Sequence, residues 1–154
     1  MRRDSFSVRT ARRFVLVIGG VFLIVALPAG AREIVAGPVR ATISRVIDGD
    51  TFVADAHVWP GETVRVSIRI RGIDAPELHS RCPAEKAAGE KARDALVTLL
   101  GNEPVLISNI GGGKYYGRVL ADVETSGGDA VGPALLRAAL VRPYHGGHRR
   151  PYCG

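Results

Sequence analysis

The 154-residue chain is poor in several features that would fix a function class at once. It has two cysteines, which is too few for a disulfide-dense miniature scaffold. It has no internal repeat, which excludes a solenoid or propeller. Gly111-Gly112-Gly113-Lys114 is glycine-rich, but no Ser or Thr follows the lysine. A P-loop needs that hydroxyl for its magnesium ion, so residues 109–115 read as a flexible loop instead. A strong charge excess is also missing from the body of the chain. The whole sequence carries 21 basic and 15 acidic residues, but Arg2, Arg3, Arg9, Arg12 and Arg13 face only Asp4 in the first 31 positions. The remainder is 16 basic against 14 acidic. Overall basicity is therefore no argument for a polyanionic partner, although a local cluster could still bind one.

The chain does contain one apolar run. Residues 1–13 are basic, Phe14 to Leu27 is almost wholly apolar, and Pro28-Ala29-Gly30-Ala31 offers small residues before Arg32. This is the build of a secretory signal peptide cut after Ala31, with helix-breaking Pro28 and the alanine pair favouring cleavage. The alternative is an uncleaved anchor, for which Phe14 to Ala31 only just spans a bilayer. Arg12-Arg13 also permits twin-arginine export. Every version keeps the arginines in the cytoplasm and puts the domain, residues 32–154, on the far side, periplasmic or secreted. A membrane is a partner only if the leader stays uncut.

Beyond a short linker over residues 33–38, Val39 to Ile47 reads as a strand and Asp48-Gly49-Asp50 as its turn. Thr51 to Ala54 is a second short strand, and residues 57–62 form a hairpin loop around Pro60-Gly61. Val64, Val66, Ile68 and Ile70 alternate with Arg65, Ser67, Arg69 and Arg71, the period of a half-buried strand with the valines and isoleucines inward. Arg65 and Arg71 read as a solvated sheet face. Pro83 to Leu100 predicts a helix. Ala88, Ala92, Leu96 and Leu99 lie on one stripe, Pro83 suits the first turn and Gly101 the position past the end. Val105 to Ser108 and Tyr116 to Val123 are further strands, Thr125 to Asp129 a turn, and Pro133 to Val141 a second helix. The fold class is α+β, built on a small barrel.

The chemistry concentrates between Ile47 and Leu78. Asp48, Asp50, Asp74 and Glu77 sit there with Arg69, beside apolar strand. Charged side chains are rarely buried unpaired, so such a cluster needs a counter-charge, and a hard divalent cation with oxygen ligands is one candidate. An ordinary turn explains Asp48-Gly49-Asp50 as well, with Asp bonding its own backbone and Gly supplying a positive φ.

The segments IDGDT, RIRGIDAPE and YGR, in that order, resemble the staphylococcal nuclease (thermonuclease) family over Val39 to Tyr144. That resemblance implies a five-stranded OB-like β-barrel with two or so helices, an architecture that often binds oligonucleotides. It implies a calcium-dependent nuclease acting on DNA and RNA, preferring unpaired regions, leaving 3′-phosphates and working as a monomer. By the same resemblance Asp50, Asp74 and the backbone carbonyl of Ala75 hold Ca2+, Glu77 is the general base, and Arg69 and Arg118 bind the phosphate. Tyr116 and Tyr144 match tyrosines near the bound nucleotide. The pattern departs at Ala75, where the archetype has Thr, and at Lys114, where it has an acid. A third, C-terminal helix of the archetype has too little chain here, so the tail from Tyr144 is expected to cover that side of the barrel. The rival reading is a non-catalytic OB-type nucleic-acid-binding module, which has no need of Glu77 beside phosphate.

The even pair Cys82 and Cys153, in an exported protein, reads as a disulfide that pins this tail. A zinc site drawing on His79, Cys82, His145, His148 and Cys153 stays open as the alternative, although the tail spacing fits no standard finger.

Overall fold

In the computed structural model, which describes residues 33–113 and 117–153, alternation builds the central strands. Strand β4 (Glu62–Ile70) pairs antiparallel with β3 (Thr51–Trp59), and β3 pairs with β2 (Val39–Val46). The hairpin loop is shorter than the sequence predicts. Both strands run on until only Pro60 and Gly61 form the turn. Ile68 and Ile70 are fully buried, but Val64 near the hairpin tip is half-exposed, because the hairpin extends past the body it covers.

Strand β7 (Arg118–Glu124) joins β4 in parallel, β6 (Val105–Gly112) pairs with β7, and β6 returns to β2. The five strands β2, β3, β4, β7 and β6 thus close into a mixed barrel. Closure removes the open edges that would otherwise invite pairing with another chain. Residues 109–112 are strand rather than flexible loop. Their register shifts between Ser108 and Gly111, where Asn109 has a positive φ, so the glycines serve an irregular ladder. The expected linker also holds a short strand, β1 (Ile34–Val35), on the β6 edge.

Helix α1 (Pro83–Leu100) matches its sequence-predicted limits, and its Ala92, Leu96 and Leu100 enter the core with Phe52, Ile68 and Ile107. Helix α2 is Val131–Arg137, earlier than the predicted span. Pro133 falls in its first turn, where backbone N–H groups have no partner inside a helix. It stops early because Ala139 takes a positive φ and Leu140 N–H turns back to the Leu135 carbonyl. Short strands β5 (Ile73–Asp74) and β8 (Arg142–Pro143) pair antiparallel. That pairing brings the C-terminal tail alongside the Asp74 loop.

Candidate active site

Strand register assembles the site. Asp50 immediately precedes β3, and its neighbour Thr51 lies opposite Arg69 on β4. The Ile70 N–H donates to the Asp50 carbonyl at 2.8 Å, fixing the turn against the next strand. Arg69 Nη1 then donates to Asp50 Oδ1 at 2.7 Å, and Nη2 to Asp74 Oδ1 at 3.0 Å. One guanidinium thus spans two carboxylates that are themselves almost fully buried. The second oxygen of Asp50 accepts the Ala75 N–H at 2.8 Å, and Thr51 Oγ1 donates to its first at 2.7 Å.

The Asp48 turn packs unusually closely. Asp48 Oδ1 accepts the Asp50 N–H at 3.0 Å, as an Asp turn does. Gly49 is not a positive-φ residue, contrary to the sequence reading. It is glycine for lack of space: a Cβ there would lie 2.6 Å from Ala92 Cβ and 2.9 Å from Ala75 Cβ. Gly89 on α1 is similarly crowded, its missing Cβ 2.8 Å from the Pro76 carbonyl oxygen. The helix, the Asp48–Asp50 turn and the loop after Asp74 therefore press together through backbone and methyl groups, which holds the two aspartates in register.

Charge at this point is incompletely balanced. Burial pushes the Asp50 carboxyl above its ordinary pKa, Arg69 pulls it down, and nearby Asp48 pushes it up again. The Tyr152 hydroxyl is raised by burial and then by the Asp74 carboxylate.

A cleft of about 670 Å³ adjoins these residues, lined by Arg69, Glu77, Arg118, Tyr144, His148 and Arg149 among others. Ser67, two positions before Arg69, lies opposite Arg118 across the parallel β4–β7 pair, so both arginines serve one face. Glu77 sits on the loop between β5 and α1 with its side chain 57% exposed. Tyr144 donates its hydroxyl to the Gly147 carbonyl at 2.9 Å, shaping the tail at the cleft wall. Tyr116 lies outside the described residues, as do Lys114 and the leader.

The family comparison coincides with this site. The staphylococcal nuclease homologue model matches residues 67–150, more than half of the chain. The chain belongs to the staphylococcal nuclease family. The match takes in Arg69, Asp74, Glu77 and Arg118, while Asp50 lies before it and joins the site through its bond to Arg69. No curated protein matches the chain.

The calcium ion that this nuclease family implies can be tested against the donors. Two buried carboxylates and backbone carbonyls are hard oxygen donors, the kind such an ion takes. Among the described residues no three His, Cys, Asp or Glu side chains converge on one point. The donor type fits, and most of the roughly six to eight ligands such an ion takes would be carbonyl and water oxygens.

The sequence left four contributors without a role. Arg149 from the tail pairs with Asp74 at 2.5 Å and with Glu77. Tyr152 donates its hydroxyl to the Asp74 carbonyl at 2.6 Å. Glu85 in the first turn of α1 accepts from Ser80 Oγ at 2.6 Å, tying down the loop that carries Glu77. Arg71, read as a solvated face, donates to the Leu120 carbonyl at 3.0 Å and pairs with Asp122, bracing β7. Arg65, by contrast, is exposed and pairs with Asp55. A bond joins Cys82 and Cys153 across 71 residues, and with both sulfurs in it neither is a thiolate ligand.

Proposed function

We propose that this member of the family is an exported, monomeric, calcium-dependent nuclease that hydrolyses phosphodiester bonds of DNA and RNA. The observation that carries the reading is that Arg69, Arg118 and Glu77 line one cleft directly beside the buried Asp50–Arg69–Asp74 cluster. Attack on an anionic phosphorus needs cationic donors for the non-bridging oxygens and a base for the water. Arg69 and Arg118 supply the cationic charge, Arg69 while its two terminal nitrogens hold Asp50 and Asp74, and a guanidinium offers further N–H groups where an ammonium acts as a point charge. Glu77, exposed to the cleft, removes the proton from the attacking water. The bond to the 5′-oxygen breaks, that oxygen takes a proton from solvent to leave as a 5′-hydroxyl, and the phosphate stays on the 3′ side. Tyr144, with Tyr116, borders the nucleotide.

Asp50, Asp74 and the Ala75 carbonyl would hold Ca2+. Bound there, the ion would stabilise negative charge on the phosphate as it reacts. The buried aspartates are positioned by Arg69, and Asp50 also by Thr51 Oγ1 and the Ala75 N–H. Hydrolysis of single-stranded DNA and of RNA, with and without a chelator, tests the proposal. Binding without cleavage in calcium would favour the non-catalytic module.

The exported state rests on residues 1–31, which lie outside the described residues. Among the described residues no helix is long and apolar enough to cross a membrane. A disulfide suits an oxidising compartment.

A further inference from the structure

We infer that Arg149 is a positioning residue that aims the Glu77 carboxylate into the cleft, an inference that rests on the nuclease reading and adds a third arginine to it. Glu77 belongs to neither strand nor helix, and its side chain is more than half exposed. An exposed glutamate samples several rotamers, and a base that must meet one water gains from having only one. Among the described residues its carboxylate has one side-chain partner, Nη1 of Arg149. The other terminal nitrogen of the same guanidinium meets Asp74 Oδ1 at 2.5 Å. Asp74 is buried and already gripped by Arg69, so it is a fixed point. The planar fork of Arg149 therefore transmits that fixed position to Glu77.

The backbone around Arg149 is held on both sides. Before it, β8 pairs with β5, and the Tyr144 N–H donates to the Gly72 carbonyl at 2.9 Å. After it, Arg142 donates to the Pro151 carbonyl at 3.0 Å and stacks 3.8 Å from the Tyr152 ring. Tyr152 bonds the Asp74 carbonyl, and Cys153 is joined to Cys82 at the start of α1. The tail thus lines the cleft and delivers one arginine to the base.

A double-mutant cycle tests this. Parent, Arg149→Met, Glu77→Gln and the double variant are compared on a single-stranded oligonucleotide at saturating calcium, after each is shown folded by circular dichroism. Arg149→Met is expected to lower kcat by about 10²-fold, the scale of a misplaced catalytic group, with KM within about twofold. In the Glu77→Gln background the same substitution should change kcat by less than about twofold, because its route to the chemistry is gone. Arg149→Lys should recover part of the rate. A crystal structure of Arg149→Met should show Glu77 turned away from its parental position. Equal losses in both backgrounds, a rise in KM alone, a gain in activity, or an unmoved Glu77 overturns the inference while leaving the nuclease reading intact. A parental rate for Glu77→Gln overturns the inference together with the role of Glu77 as base, and a folded parent that cleaves nothing overturns the nuclease reading as well.

Discussion

Arg69 and Asp50 are 19 positions apart in the sequence, yet Nη1 of one lies 2.7 Å from Oδ1 of the other, with both side chains largely shielded from water. Three of the roughly four acceptor positions of the Asp50 carboxylate are taken, by a hydroxyl, a guanidinium and a backbone N–H. Removing one member of a buried pair typically costs about 3–5 kcal/mol, because the other charge is stranded. Arg69→Met should therefore shift the urea midpoint strongly downward as well as abolish hydrolysis. A variant with parental stability would show that the pair is structurally idle.

Gly49→Ala separates packing from chemistry. The added methyl would meet Ala92 and Ala75 well inside contact distance. Overpacking of this kind costs about 1–3 kcal/mol, and relief requires the Asp48–Asp50 turn to move off the helix. Lower thermal stability with weaker calcium activation is the expected result. Calorimetry and calcium-titrated activity measure the two effects. An unchanged protein would mean that the turn is not held by this contact.

The disulfide makes its own prediction. Closing a loop of 71 residues' separation is worth roughly 4 kcal/mol in the chain-entropy model. Cys82→Ser with Cys153→Ser should lose up to that amount in denaturant unfolding and free the tail that carries Arg149. Thiol labelling of the native, non-reduced protein should find none. Two labelled thiols would rule the bond out.

These tests concern features of unequal legibility. Strand β4 and α1 were readable because each has one buried face, so the period of two over residues 64–70 and the apolar stripe of α1 are written directly in the residue types. What was misread depended on contacts between distant segments. Gly111 and Gly112 read as loop because glycine lacks intrinsic strand preference, yet β7 supplies the partner that makes them strand. The end of α2 depends on a left-handed alanine that no propensity foretells. Gly49 was assigned to a turn conformation, whereas two methyl groups from elsewhere forbid a side chain. In the site, Arg69, Asp74, Glu77 and Arg118 stood within recognisable segments. Arg149 stood in a tail whose arginines and histidines carry no spacing signal, and only the Cys82–Cys153 pair hinted that this tail returns to α1.

Export is checked apart from the fold. Protein recovered from the non-cytoplasmic fraction is expected to begin at Arg32 on N-terminal sequencing. Intact residues 1–31 in the membrane fraction would replace cleavage by anchoring.

The most direct test is calcium-titrated hydrolysis of single-stranded DNA by the folded parent, Glu77→Gln and Asp74→Asn. A general base contributes about 10²–10⁴-fold, so Glu77→Gln should be slower by that order at saturating calcium, with a half-saturating concentration close to the parent's. Asp74→Asn loses a charged ligand and should need far more calcium to reach its own maximum. All three should be inactive in chelator. A parental rate for Glu77→Gln at saturating calcium, or a parent that cleaves equally well in chelator, would contradict the account.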